Sequence, residues 1–283
     1  MPELPEVETV RRGLEPVLLN HVLRHVDVRR PDLRWPFPDH MAARLTGRRV
    51  VALRRRAKYV LAQLDDDMVW MIHLGMSGRF QIADEALGHF YHPTAMEEKH
   101  SHVVIETDAG TQLRYIDPRR FGSMDLCSAP KLEAHAWIKD LGPEPLSNEF
   151  SPAYLAARLA TRKGPIKNVL LDQHLVVGLG NIYVCEALFD AQVSPIRRAC
   201  DVAPHEIERL YRAIIDVLER AIVAGGSSLR DHQQVDGQMG YFQHDFQTYG
   251  REGAPCRRCG SEAVIVRVVQ SGRSSFYCPA CQS

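Results

Sequence analysis

The stretch CRRCGSEAVIVRVVQSGRSSFYCPAC covers residues 256–281 and holds two pairs of cysteines. Cys256 and Cys259 form one pair, Cys278 and Cys281 form the other, and eighteen residues separate the pairs. This C-x2-C-x18-C-x2-C spacing is typical of a zinc site, because two thiolates three positions apart can hold one ion from a tight turn. Four thiolates leave no open coordination position. The spacing therefore predicts one structural Zn²⁺.

A β-hairpin is predicted between the two cysteine pairs. Residues 263–269 and 274–277 have the composition of short strands, and Ser271-Gly272 between them has the composition of a turn. Such a hairpin would bring the two cysteine pairs together into one closed site.

The N-terminal part of the chain reads as one helix followed by strands. The apolar period predicts a helix over residues 5–19, with Pro5 at its first position. Eight short segments rich in Val, Ile, Leu and Tyr follow, at 22–30, 48–56, 59–64, 68–74, 79–82, 102–107, 111–116 and 122–127. One helix and eight strands predict a β-sandwich or a barrel. The stretch from Ala83 to Ser101 has no clear period and is predicted to be a long loop.

Beyond LGPEPLS at residues 141–147 the apolar period becomes helical. Ser151 and Pro152 predict the start of one helix, and further helices are predicted after Pro165, over 181–191 and over 204–224. We therefore expect a multidomain α and β protein. Its predicted parts are a β-sandwich domain at 1–130, a linker at 131–150, a helical domain at 151–250 and a zinc finger at 251–283.

The composition excludes several classes of protein. The chain has 283 residues, of which 45% are hydrophobic and 25% charged, as in an ordinary soluble globular protein. No apolar run approaches the ~18 residues of a transmembrane helix. The N-terminus MPELPEVETV has no apolar signal core, which predicts an intracellular protein. Seven cysteines without a secretion signal argue against a disulfide framework.

The charges are balanced in total but segregated along the chain. Lys and Arg number 35 and so do Asp and Glu. Seven basic residues and no acid lie between Arg44 and Lys58, and four basic residues and no acid lie between Arg158 and Lys167. This distribution suits a protein with one basic face for nucleic acid. The alternative is a set of solvated surfaces that cluster by chance.

Seven further segments resemble bacterial formamidopyrimidine-DNA glycosylase, the base-excision enzyme that removes oxidised purines such as 8-oxoguanine. They are MPELPEVETVRRGL at 1–14, HLGMSGRF at 73–80, KHSHV at 99–103, DPRRFG at 117–122, GLGNIY at 178–183, GYFQHDFQTYGREGAPC at 240–256 and GRSSFYC at 272–278. The resemblance implies an N-terminal helix with an eight-stranded β-sandwich, a helix-two-turn-helix domain and a β-hairpin zinc finger. It also implies a monomer that binds double-stranded DNA in the cytoplasm, in a cleft between the two halves of the chain.

The resemblance assigns the base-release chemistry to the N-terminus. After removal of Met1, Pro2 would carry a secondary amine that attacks C1′ of the sugar and forms a Schiff base. Glu3 would protonate the ring oxygen of the deoxyribose. Glu6 would help to position the site. From the residues alone, Pro2 is better explained as the start of a helical region, and Glu6 is nearly as well explained as a residue of the first helical turn.

Two basic residues match the family's strand-cleavage residues. Lys58 corresponds to the lysine that assists β-elimination and contacts a phosphate. Arg273, at the predicted hairpin turn, corresponds to the arginine that grips the phosphates at the lesion and aids δ-elimination. The alternative for Lys58 is one more surface lysine.

The remaining matches concern DNA binding. Met76, Arg119 and Phe121 correspond to the residues that fill the hole left by the flipped base; the alternative is that Met76 and Phe121 are core residues of two strands. The resemblance also assigns His100 and Arg162 to DNA binding and Lys167 and Asn181 to phosphate contacts. His73 and His102 are predicted to be structural. The loop at 235–241 would cover the flipped base.

Three other functions stay open at this point. The first is an endonuclease VIII-like glycosylase for oxidised pyrimidines, which the segments PELPEV and DPRRFG disfavour. The second is a non-catalytic DNA-binding zinc protein, against which Pro2, Glu3 and Lys58 argue. The third is an RNA-binding zinc protein, for which no single-strand stacking face is visible.

Overall fold

The computed structural model describes residues 2–83, 95–227 and 241–283. It divides into two compact units, one formed by residues 1–139 and 225–241 and the other by residues 140–224 and 242–283. No helix among these described residues is both long and apolar enough to cross a membrane.

The first unit begins with helix α1, Leu4–Leu18. Its start lies one residue before the predicted one, because the Glu6 carboxylate accepts the backbone N–H of Glu3 at 2.8 Å and closes the first turn there. One face of α1 is buried in the hydrophobic core through residues at helical spacing, Val7, Val10, Leu14 and Leu18.

Eight strands form two four-stranded antiparallel sheets. Their bounds are β1 Leu23–Val28, β2 Val50–Arg56, β3 Tyr59–Leu64, β4 Met68–His73, β5 Arg79–Ala83, β6 Ser101–Thr107, β7 Gln112–Ile116 and β8 Ser123–Ser128. The strand orders are β1-β6-β7-β5 and β2-β3-β4-β8. Both sheets bury one face in the same core, through Val26, Phe80 and Tyr115 from the first and Val60, Trp70 and Leu126 from the second. The predicted eight-stranded β-sandwich is confirmed.

Two short helices were not predicted. They are α2, Met41–Leu45, and α3, Ala95–His100. The prediction of a continuous loop from Ala83 to Ser101 is therefore wrong at its C-terminal end, and residues 84–94 lie outside the described residues. A helix of six residues is less than two turns long, so no apolar period can reveal it.

The second unit contains the four predicted helices, α4 Pro152–Leu159, α5 Ile166–Leu170, α6 Asn181–Asp190 and α7 Pro204–Val223. Ser151 caps α4, because its hydroxyl oxygen accepts the backbone N–H of Tyr154 at 3.1 Å. Gly225 and Gly226 follow α7 with φ of 74° and 77°, left-handed backbone that ends a helix. The four helices bury one apolar core.

The C-terminal segment forms two hairpins. Their strands are β9 Pro255–Cys256, β10 Gly260–Val264, β11 Val266–Gln270 and β12 Arg273–Tyr277. The prediction of one strand over 263–269 is wrong, because Ile265 separates the end of β10 from the start of β11. There the backbone N–H donates to the Ala254 carbonyl and the carbonyl accepts the N–H of Gly253, so Ile265 pairs with the preceding loop and buries its side chain.

Candidate active site

The segment before α1 is buried. Pro2 and Glu3 both lie in the interior, and the Glu3 side chain is only 2% exposed. Pro2 stands two residues before the first residue of α1, at the positive end of the helix dipole. The two residues predicted to release the base are therefore held in a fixed position instead of forming a loose terminus.

Glu6 connects this segment to a distant part of the first unit. One of its carboxylate oxygens accepts the Glu3 N–H, and the other accepts both the N–H and the hydroxyl of Ser227, at 2.8 and 2.9 Å. Gly226 permits the approach, since a Cβ there would lie 3.1 Å from the Glu6 side chain and the residue has a φ of +77°. Ser227 also forms an antiparallel bridge with Tyr241. Of the predicted covering loop at 235–241, residues 235–240 lie outside the described residues.

Lys58 occupies the tight turn between β2 and β3. Its neighbour Ala57 has a left-handed φ of 51°, and the Arg55 guanidinium donates to the Ala57 carbonyl at 3.0 Å. The side chain of Lys58 is buried, with 7% exposure. Lys58 is therefore not one more surface lysine, since a short braced turn holds its ammonium group inside the first unit.

His73 lies at the end of β4, close to Lys58. Its Nδ1 accepts the backbone N–H of Gly75 at 3.1 Å, which leaves Nε2 as the N–H donor. Burial first, and then the charges of Lys58 and Arg34, lower the pKa of His73 to about 4. The ring is therefore neutral at physiological pH and offers a hydrogen-bond donor beside a buried lysine.

The two loops that carry Met76, Arg119 and Phe121 are interlocked. The Ser77 hydroxyl donates to one Asp117 oxygen at 2.6 Å, and the backbone N–H of Gly122 donates to the other at 2.8 Å. The Arg119 N–H donates to the Ser77 hydroxyl oxygen at 3.2 Å. Gly75 lies against the other loop so closely that a Cβ would stand 2.2 Å from the backbone of Phe121. The sequence motifs at 73–80 and 117–122 thus form one interlocked pair of loops.

The interlocked pair of loops carries the three residues that are predicted to fill the hole left by the flipped base. Phe121 is 43% exposed, and the Arg119 guanidinium lies 5.0 Å from the centre of its ring. Met76 is half-buried, and both Met76 and Phe121 lie outside the strands. The alternative that they are core residues of two strands is wrong. Within the described part of the chain, no carboxylate lies within 4.0 Å of Arg119, so its charge is available to a ligand.

We expect Asp117→Ala to destabilise the interlocked pair of loops in the first unit. The substitution removes the acceptor for Ser77 and Gly122, both of which are buried, and should lower the free energy of unfolding by about 2–3 kcal/mol. Urea unfolding measures the change. The matched control is Asp39→Ala, an exposed aspartate of the same unit. Equal unfolding midpoints for the two variants would contradict the interlocking role.

His100 lies at the end of α3 and joins the same region through its backbone. Its carbonyl accepts the N–H of Asp117 at 3.1 Å, and its ring lies 6.3 Å from that of His102. The His102 ring is itself hydrogen-bonded to the Asp117 carbonyl at 2.9 Å. His102 has the structural role that the sequence analysis predicted, and the DNA-binding role of His100 stays a prediction.

In the second unit, two predicted phosphate contacts brace strand β12. Lys167 is fully buried, and its ammonium group donates to the Ser274 carbonyl at 3.0 Å and to the Ser275 hydroxyl at 2.7 Å. The Asn181 amide donates to the same carbonyl at 2.9 Å. The phosphate contacts of Lys167 and Asn181 stay predictions.

Arg273 is the first residue of β12 and is exposed. Gln270 pairs with Arg273 around Ser271 and Gly272, whose φ values of 48° and 74° are typical of a tight two-residue hairpin turn. The predicted turn is confirmed. Lys167 and Asn181 both donate to the carbonyl of Ser274, the residue that follows Arg273. The hairpin that carries Arg273 is therefore fixed by these two side chains.

Arg162, the other predicted DNA-binding residue of this unit, follows α4. It is partly exposed, and its guanidinium lies 3.6 Å from an Asp172 oxygen. An exposed ion pair of this length is weak, so Asp172 leaves Arg162 available to a phosphate.

The four predicted zinc ligands lie together. Their Sγ atoms are all within 4.8 Å of one another, and the pairs Cys256–Cys281 and Cys259–Cys278 are each 3.9 Å apart. A tetrahedral zinc with 2.3 Å bonds separates its sulfur ligands by about 3.8 Å, so the cluster fits the ion. Burial opposes ionisation of Cys256, but backbone N–H groups of Cys259 and Arg258 bring the pKa of its thiol down to about 7. The geometry and the donor set fit one structural Zn²⁺.

The zinc hairpin is attached to helix α6. The Arg258 guanidinium lies 4.5 Å from the centre of the Phe189 ring and donates to the Phe189 carbonyl at 2.8 Å. Gln282 accepts the N–H of Cys278 and donates to the Val193 carbonyl. These contacts fix the hairpin, and with it Arg273, to the helical part of the second unit.

Glu186 is a residue that the sequence analysis missed. It lies on α6 with 1% exposure, and its carboxylate accepts three consecutive backbone N–H groups, those of residues 247–249, at 2.8–3.0 Å. Burial raises the pKa of Glu186, and the three hydrogen bonds oppose that rise. Glu186 thus anchors the segment that leads into the zinc hairpin. A single acidic residue within an apolar helix is the signal that could have identified it.

The sequence models that match this chain cover three consecutive parts of it. The model of the formamidopyrimidine-DNA glycosylase N-terminal domain matches residues 1–124, and that of the formamidopyrimidine-DNA glycosylase H2TH domain matches residues 141–233. The model described as the zinc finger found in FPG and IleRS matches residues 253–283. A formamidopyrimidine-DNA glycosylase of Jannaschia sp. is 56% identical over 282 residues and covers 100% of both chains. The chain belongs to the formamidopyrimidine-DNA glycosylase family.

Other members of the formamidopyrimidine-DNA glycosylase family agree with this assignment. The family member from Dinoroseobacter shibae is 56% identical over 283 residues, with 100% of both chains covered. The crystal structure of the MutM (FPG) protein from Thermus thermophilus superposes with a TM-score of 0.86 at 39% identity, covering 99% of this chain and 98% of that one. The Lactococcus lactis Fpg mutant G226P, in complex with a Fapy-dG containing DNA, gives 0.89 at 35% identity with 100% of both chains covered.

Proposed function

We propose that this protein is a bifunctional DNA glycosylase and lyase that removes oxidised purines from double-stranded DNA and then cuts the strand. The observation that carries the proposal is the buried N-terminus, where Pro2 and Glu3 precede α1 and Glu6 holds the backbone of Glu3. The relatives named above bear the name of this activity. A Lactococcus lactis Fpg in complex with an abasic site containing DNA, at a TM-score of 0.89 and 35% identity, supports the binding of damaged DNA. An enzyme for chromosomal DNA would act in the cytoplasm.

The first step uses Pro2 after removal of Met1. The secondary amine attacks C1′, the bond between C1′ and the base breaks, and the base leaves with the electron pair of that bond and with the proton that the amine loses. Glu3 donates a proton to the ring oxygen, which opens the sugar and leaves a cationic iminium between Pro2 and C1′. The positive end of α1 favours the neutral, nucleophilic amine over its protonated form.

The iminium then serves as an electron sink for two eliminations. Loss of a proton from C2′ and cleavage of the bond between C3′ and its phosphate oxygen complete β-elimination, and the same sequence at C4′ and C5′ completes δ-elimination. Lys58 lies in a braced turn where its charge stabilises a phosphate as it leaves. Arg273 is held on the hairpin to take the other phosphate.

Met76, Arg119 and Phe121 replace the flipped base. Extrusion of a base costs a few kcal/mol, and an inserted side chain recovers part of that cost. Phe121 enters the stack as the aromatic wedge, and Arg119 faces the unpaired base. The interlocked loops keep the three side chains in place without a change of backbone.

Borohydride trapping tests the proposal. The protein is mixed with a duplex that holds one 8-oxoguanine opposite cytosine, and borohydride reduces any iminium to a stable adduct. We expect a covalent adduct of one chain with one DNA strand, and none with an unmodified duplex. Absence of an adduct from protein whose mass confirms the loss of Met1 would overturn the proposal. An adduct formed with thymine glycol only would identify an enzyme for oxidised pyrimidines instead.

A further inference from the structure

A short loop between β1 and α2 carries an exposed tryptophan. Trp35 is 55% exposed, whereas Leu33 and Phe37 on either side of it are buried in the core. The Leu33 N–H donates to the Trp35 carbonyl at 3.0 Å, and the Phe37 N–H donates to the Pro31 carbonyl at 2.9 Å. The loop is therefore pinned at both ends and closed by its own backbone. It holds an indole in water, where a large aromatic side chain is typical of a binding surface.

Arg34 accompanies the tryptophan. Its guanidinium lies 5.8 Å from the centre of the Trp35 ring. Across residues 2–83, 95–227 and 241–283, no carboxylate lies within 4.0 Å of this guanidinium. A cation without a protein counter-ion beside an exposed aromatic ring is the combination that binds the sugar–phosphate backbone of nucleic acid.

The loop lies directly beside the residues proposed to open the DNA. The backbone N–H of Arg34 donates to the Gly122 carbonyl at 3.1 Å, and Gly122 follows Phe121. The charge of Arg34 also contributes to the low pKa of His73. Arg119 and Arg120 are exposed on the same loop as Phe121. The Arg34–Trp35 pair therefore continues the basic, aromatic surface formed by Arg119 and Phe121.

We propose that Arg34 and Trp35 form a second contact with duplex DNA, next to the step that Phe121 opens. Trp35 packs its ring against a deoxyribose, and Arg34 binds an adjacent phosphate. The occupant is duplex DNA, because Arg34, Arg119 and Arg120 are exposed cations and the surface is continuous with the wedge. This inference rests on the proposed function and adds to it two residues that would contact the DNA backbone whatever the base sequence.

The dependence of affinity on salt separates the two contributions. We expect Trp35→Ala to weaken binding of the lesion duplex about tenfold at every salt concentration and to leave the salt slope unchanged. We expect Arg34→Gln to reduce the slope of log K against log salt by about 0.9, as for one lost phosphate contact. Trp35→Phe keeps an aromatic ring and should therefore bind the lesion duplex nearly as tightly as the wild-type protein does. The matched control is Val223→Ala, which removes apolar surface from a residue that is 87% exposed.

Quenching of tryptophan fluorescence tests where Trp35 lies in the complex. The chain has three tryptophans; Trp70 is fully buried, and Trp137 is half-buried and stacked on Tyr59. Trp35 should therefore supply the component most accessible to acrylamide, and Trp35→Phe should remove it. Lesion duplex should protect this component in the wild-type protein. Undiminished quenching of Trp35 at saturating DNA, or wild-type affinity for Trp35→Ala, would overturn the inference.

Borohydride trapping keeps this outcome separate from that of the proposed function. At saturating DNA, the wild-type protein and the Val223→Ala control should form the Pro2 adduct in equal yield, since Val223 is exposed and touches neither the chemistry nor the proposed surface. A wild-type protein that forms no adduct contradicts the glycosylase proposal itself. A wild-type adduct together with unaltered affinity and quenching contradicts only the second DNA contact.

Discussion

Pro2→Gly is expected to lower the rate of base release by roughly 10²-fold or more, while binding of the lesion duplex persists. Glycine keeps an amine at the N-terminus, but it is a primary amine, and its imine must gain a proton before it can act as an electron sink. The secondary amine of Pro2 gives a permanently cationic iminium when the bond between C1′ and the ring oxygen breaks, with no proton added to the nitrogen. Glycine also loses the ring that restricts the backbone of this buried position.

Two measurements on the same preparations decide the result. Release of 8-oxoguanine is followed under single-turnover conditions, and fluorescence anisotropy gives the affinity for the duplex. A second variant carries an uncleaved residue in front of Pro2, which turns the nitrogen into an amide and leaves every side chain in place. It should form no borohydride adduct. Base release within about threefold of wild type in both variants would contradict a nucleophilic Pro2.

Removal of the metal is expected to have the second largest effect. Cys278 is fully buried, and Cys278→Ser, or a strong chelator, should unfold the two C-terminal hairpins. Among the described residues, the apolar cluster of this segment consists of little more than Ile265, Phe276, Phe189 and the cysteines, which is too small a core to hold the fold without the ion. Loss of the hairpin removes Arg273 from its position. Affinity for the lesion duplex should fall by about 100-fold or more.

The matched control for the metal prediction is Cys200→Ser. Cys200 is half-buried and lies outside the four-cysteine cluster, with Asp201 as its polar neighbour. This variant should keep one bound zinc per chain and wild-type affinity. Metal content is measured by atomic absorption on the same samples. Full affinity in a protein shown to contain no metal would contradict the structural role of the zinc.

Local patterns in the sequence were sufficient for the elements of the fold. Short segments rich in Val, Ile, Leu and Tyr in the N-terminal half predicted all eight strands of the sandwich, and Ser151 with Pro152 predicted the start of α4. The failures were equally local. Helix α3 is too short to show a period, and the strand over 263–269 breaks because Ile265 pairs with Ala254 and Gly253 instead.

The resemblance named candidate residues, but it could not say what holds them. The motif HLGMSGRF supplied Met76, and the motif DPRRFG supplied Arg119 and Phe121. Neither motif shows that Ser77 and Asp117 lock the two loops together across 40 positions of the chain. Lys167 was predicted to face a phosphate. The resemblance does not show that its ammonium group also donates to the carbonyl of Ser274, 107 positions away in β12.

By itself, then, the sequence determined the strands, most of the helices and the zinc ligands, because composition, capping and cysteine spacing act over a few residues, and its motifs determined the family. The tertiary structure alone decided the contacts that hold the site. Glu6 meets Ser227 across 221 positions, and Glu186 meets the segment at 247–249 across about 60. A hydrogen bond of this kind needs two distant backbones to be placed within a few tenths of an ångström of each other. Only the packed core fixes both backbones at once.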